Sequence, residues 1–179
     1  MNRFQLEHII RAAGAISGED DLVVVGSAAL LGACPEAEGM DAVELSKDVD
    51  LYPLAAPEKA DVIDGAIGEG SLFAETFQVY AHGSGPEVTA RLPDGWRERL
   101  VPVRTRDRVT GWCLSPADLA VAKLDAGRPK DLRFVQVMLS CNLVALREVE
   151  QLAARLTDGE RRAVVLDRLG LMGDHADAG

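Results

Sequence analysis

Leu22-Val23-Val24-Val25-Gly26-Ser27, followed by Asp48-Val49-Asp50-Leu51-Tyr52, decides the fold. The first stretch is a continuous apolar run that ends on glycine, as a strand buried on both faces does. The second alternates acid and apolar residues. Residues two apart in a strand share a face. Asp48 and Asp50 therefore project side by side, while Val49 and Leu51 turn into a core. Two carboxylates on one face raise each other's pKa unless a cation sits between them. Mg²⁺ (or Mn²⁺) suits that place, because Mg²⁺ takes one or two carboxylates and completes its shell with phosphate oxygens.

Outward from these strands the chain alternates in type. Phe4, Leu6, Ile9, Ile10 and Ala13 recur at helical spacing, which predicts a helix over residues 3–17, broken by Gly18. A short helix should follow Ser27, then an irregular polar connection over 35–46. The second strand should run from Asp48 to Pro53. Pro57 opens a helix over 57–68. Further strands are expected at 77–82, 87–92, 100–105 and 111–114, with turns at Gly83-Ser84-Gly85-Pro86 and Pro93-Asp94-Gly95. Ser115 and Pro116 start a helical series over 116–126, 129–141, 145–156 and 158–170. The expected class is α+β: a mixed sheet with flanking helices and a C-terminal helical bundle packed on it as one unit. Residues 1–114 form the core, 115–172 the bundle, and 173–179 a frayed tail.

Composition narrows the function. At 179 residues and 47% hydrophobic, the chain has ample material for a core. A net charge of −10 argues against a broad nonspecific nucleic-acid surface, which needs Lys and Arg to neutralise phosphates. Arg91, Arg97, Arg99, Arg104, Arg106 and Arg108 nevertheless concentrate in one stretch. They read either as a solvated face or as a rim toward RNA or a triphosphate. Cys34, Cys113 and Cys141 are too widely spaced for zinc and read as small buried apolar residues. Met1-Asn2-Arg3 leads into an amphipathic segment rather than a signal sequence, and no apolar run approaches the ~20 residues of a membrane span. A cytoplasmic protein with no membrane partner is the expectation.

The Gly-Ser turn and Asp-x-Asp strand resemble the nucleotidyltransferase superfamily with the polymerase-beta-like palm. The segments VVVGSAALLGACPEA and SKDVDLYP, GPEVTARLPDGWRERLV and SPADLAVAKLDAGRPKDLRFV extend the match over residues 20–140. They are similar to bacterial nucleotidyltransferase-like proteins of the DUF6036 group, relatives of the toxin half of type IV toxin–antitoxin systems. The resemblance implies a metal-dependent transfer from an NTP to a hydroxyl on RNA, a tRNA end foremost, or on protein. It also implies a possible antitoxin protein as partner. A catalytically idle chain that binds a nucleotide or a protein is the alternative.

In that reading Gly26 lets backbone approach a phosphate, and Ser27 donates its hydroxyl to a phosphate oxygen at a helix start. Asp48 and Asp50 hold the metal. The resemblance also asks for a third carboxylate from a neighbouring strand. Glu87 is the first choice and His82, at the end of the third strand, the second. With His82 there, the two-metal chemistry of the superfamily would be in question. The resemblance assigns Lys123 to nucleotide phosphates and brings Asp131 into the site. The plainer accounts are a surface salt bridge of Lys123 with Asp118 or Asp125, and a helix-start acid at Asp131. Trp96 and Trp112 read as structural.

Overall fold

The structure, a computed structural model, describes residues 1–44 and 46–176. The chain divides into two compact units, Met1–Ala90 with Arg99–Ser115, and Arg91–Glu98 with Pro116–Gly179.

The first unit contains α1 (Arg3–Ser17), β1 (Asp21–Val24), α2 (Ala28–Ala33), α3 (Asp41–Glu44), β2 (Asp48–Pro53), α4 (Ala60–Ile67), α5 (Leu72–Phe77), β3 (Tyr80–Gly83), β4 (Val101–Arg104) and β5 (Thr110–Cys113). Asn2 and Gln5 form a reciprocal cap at the start of α1, and Gly18, at φ 71°, ends it. The sheet is mixed, in the order β3-β2-β1-β5-β4. β1 runs antiparallel to β2 and parallel to β5, β3 is parallel to β2, and β4 is antiparallel to β5.

One face of the sheet meets the helices. Leu22 and Gly111 are register partners there, and a side chain at Gly111 would strike Ile10 of α1. At Gly32 of α2 an added Cβ would lie 2.1 Å from Cys113 Sγ, so the helix backbone packs directly on β5. Leu22, Val24, Val49 and Leu51 are fully buried. The opposite face carries Asp48 and Asp50, then a row of register partners: Tyr52, Val23, Trp112 and Pro102. The Tyr52 and Thr89 hydroxyls are hydrogen-bonded at 2.6 Å, which ties the 85–90 turn to β2.

Two expected strands are different. Residues 72–77 form a helix, so the third strand starts only at Tyr80. Ser71 caps that helix by accepting from the Ala74 amide at 3.1 Å, and Gln78 ends it in the left-handed region, φ 58°. The expected strand at 87–92 is a turn instead, with the Ala90 amide donating to the Pro86 carbonyl at 2.9 Å. The 35–46 connection contains a 3₁₀ turn at Pro35–Ala37 and the single turn α3.

The second unit contains α6 (Pro116–Ala126), α7 (Pro129–Ser140), α8 (Leu146–Ala153) and α9 (Gly159–Ala176). Ala120, Leu124, Val135, Met138, Val149 and Val165 make its core. Asp125 accepts from Arg161 and pairs with Arg91 at 3.0 Å, and Arg168 caps the carbonyls of Leu124 and Asp125. The last helix continues to Ala176, beyond the tail expected from 173; residues 177–179 lie outside the described residues. Among the described residues no helix is long and apolar enough to cross a membrane.

Candidate functional site

The β1–α2 turn and β2 meet at Gly26. Backbone pairing carries one step past β1, with the Val25 amide donating to the Asp50 carbonyl at 2.8 Å. Gly26 then turns through φ 66°, a region that disfavours any side chain. A Cβ built there would lie 2.1 Å from Asp50 Oδ2. Glycine is thus required twice, by conformation and by the carboxylate against its Cα. Ser27 follows at the head of α2, half-buried, and its side chain caps no helix amide. Gly26, Ser27 and Asp50 are therefore neighbours.

Asp48 and Asp50 are both half-buried on β2, between the fully buried Val49 and Leu51. Their Cα atoms are about 7 Å apart by strand geometry. The Ser46 hydroxyl donates to Asp48 Oδ1 at 2.9 Å and orients it. β3 places Tyr80 opposite Asp48 and His82 opposite Asp50. The His82 ring turns to Asp64 of α4, with Nδ1 3.3 Å from Oδ1. Glu87 is exposed in the 85–90 turn, its carboxylate folded over Gly85. Among the described residues no three His, Cys, Asp or Glu side chains are grouped to hold a metal ion. An all-protein cage is therefore not what this site offers. A cation that takes two carboxylates and draws its remaining ligands from substrate phosphate and water fits Asp48 and Asp50.

Lys123 and Asp131 are brought together in the second unit. Lys123 Nζ lies 3.2 Å from Asp131 Oδ1, Arg128 Nε lies 2.5 Å from Oδ2, and the ammonium sits 4.4 Å from the centre of the Phe134 ring. Asp131 is 1% exposed and Lys123 is buried beside it, so this is a buried ion pair and not the expected surface salt bridge. Burial pushes the Asp131 carboxyl up, but the Arg128 hydrogen bond and the Lys123 charge outweigh it and hold it below its ordinary value. This pairing accounts for both residues without a ligand.

A family model described as a nucleotidyltransferase of unknown function (DUF6036) matches residues 4–168. The chain belongs to the DUF6036 family. No curated protein and no solved structure matches it. In this DUF6036 chain the arginine-rich stretch divides between the two units. Arg104, Arg106 and Arg108 are exposed on and beside β4, whereas Arg91 pairs with Asp125 and Arg97 lies 4.6 Å over the buried Trp96. Cys34 and Cys113 are buried, the Cys113 thiol pushed up to about 12 by burial, but Cys141 is exposed, against expectation. Sequence reasoning also passed over Tyr80, whose position beside Asp48 depends on the β2–β3 register.

Proposed function

We propose that this chain is a metal-dependent nucleotidyltransferase whose site is Gly26, Ser27, Asp48 and Asp50. The observation that carries the reading is the contact between the Gly26 Cα and the Asp50 carboxylate. It supports a place where phosphate-binding backbone and metal-binding acid are adjacent. Mg²⁺ or Mn²⁺ at Asp48 and Asp50 would supply neutralisation of the triphosphate oxygens. The Gly26 backbone would approach a phosphate, and the Ser27 hydroxyl donates to one of its oxygens. The acceptor hydroxyl forms a bond to the α-phosphorus as the bond to the β-phosphate breaks and pyrophosphate leaves. A carboxylate facing the acceptor takes its proton. RNA, a tRNA end foremost, is the proposed acceptor class, with protein as the other, and an antitoxin as the proposed partner.

Incubation with each labelled NTP, Mg²⁺ or Mn²⁺ and total RNA or protein tests the reading. Label should pass to an acceptor, and Asp50→Asn should lower the rate by about 10²–10³, the usual cost of losing a preorganised charge. Calorimetry should show divalent binding in the presence of nucleotide, lost in the Asp48→Asn/Asp50→Asn variant. Undiminished binding by that variant would move the metal elsewhere.

One observation favours a second reading, a nucleotide-binding chain with little or no turnover. The residue opposite Asp50 is an imidazole, and no three-residue metal group stands among the described residues. On that reading nucleotide binds, no label transfers with any NTP, and Glu87→Gln changes nothing. On the enzyme reading with Glu87 as third acid, Glu87→Gln abolishes transfer and leaves nucleotide binding.

A further inference from the structure

Tyr80 opens β3 directly across from Asp48 in a parallel pair. Strands in such a pair lie about 4.8 Å apart, and residues in register project to the same side. The phenol therefore joins the two aspartates on the same face of the sheet. Its ring is half-buried, and its amide is fixed by the Lys47 carbonyl at 2.9 Å. The hydroxyl, in contrast, has no hydrogen-bond partner among the described residues. It is not among the buried unpaired side-chain atoms of the described residues, so it faces solvent. Tyr52, the other tyrosine of the chain, has Thr89 as its partner.

The surroundings say what kind of partner would suit it. Asp48 lies directly across from it, and Asp50 follows two residues along the same strand. A phenol hydroxyl can donate, and the acceptors a cation at Asp48 and Asp50 would bring beside it are phosphate oxygens. We infer that Tyr80 contacts bound nucleotide, its hydroxyl donating to a phosphate oxygen beside Asp48 and Asp50. This rests on the nucleotidyltransferase reading and adds a substrate contact from the edge strand.

The test is calorimetry with a non-hydrolysable NTP and Mg²⁺ on the wild type, Tyr80→Phe and Asp48→Asn/Asp50→Asn. A hydrogen bond to a charged group is worth enough that Tyr80→Phe should weaken nucleotide binding about ten- to a hundredfold. Thermal midpoint and binding of the divalent ion alone should be unchanged. With tyrosine-selective labelling, the ring resonance of Tyr80 should shift on nucleotide addition and that of Tyr52 should stay. Equal affinity in Tyr80→Phe, with loss in the aspartate variant, overturns the contact and leaves the site intact. A parallel fall in thermal midpoint and divalent binding makes Tyr80 structural and overturns it too. No nucleotide binding by the wild type overturns the underlying reading and the contact with it.

Discussion

Asp131→Ala should destabilise the protein by about 3–5 kcal/mol, the usual cost of removing one partner from a buried ion pair. The variant takes a buried carboxylate away from Lys123, which lies against Phe134, and from Arg128. Urea unfolding followed by circular dichroism measures the loss. Replacing both partners, Lys123→Met with Asp131→Leu, should cost far less, because the ammonium leaves with the carboxylate. A small effect of Asp131→Ala would return both residues to consideration as ligands. The clasp also has a pH signature. Asp131 has a depressed value in the folded state, so its contribution is complete above the unfolded carboxyl value of about 3.9 and is lost as pH falls through the folded value. Asp131→Asn should flatten the acid limb of the stability profile.

Gly26→Ala is the second large effect. The left-handed conformation costs about 1–2 kcal/mol for a residue with a Cβ. The Cβ would also displace the Asp50 carboxylate 2.1 Å away, adding about 1–3 kcal/mol. Divalent binding should fall with stability, since the displaced group is the proposed ligand. Gly65→Ala is the control. Gly65 is exposed in α4 with nothing within 4 Å of an added Cβ, and that change should stabilise by up to about 1 kcal/mol.

What was legible in the sequence was local. The apolar run at 22–25, the left-handed stop at Gly18 and the alternation at 48–52 each name their own conformation, and together they locate Gly26 beside Asp50. What escaped depends on distant partners. Residues 72–77 form a helix because Phe73 and Phe77, one turn apart, pack on His8 of α1 at ring separations of 5.3 and 4.5 Å. Its stop is Gln78, a left-handed residue without the glycine that usually announces one. Ser71 was the available start signal. Val88, Ala90 and Leu92 alternate like a strand, but the segment is a turn that Thr89 fastens to Tyr52. Lys123 looks superficial by helical neighbours alone; its partner is eight positions on, across the Gly127–Pro129 turn.

The position of β1 in the sheet has a consequence for synthesis. It is the central strand, yet Val24 pairs with Cys113, roughly 90 positions later, so one of its edges is satisfied by a segment made long after it. At 5–20 residues per second, that delay is on the order of 5–20 s. Through this interval the nascent chain carries a bare, mostly apolar strand edge, the kind that pairs with other chains. Its exposure to misassembly is set by that wait on the ribosome, more than by the stability of the finished fold.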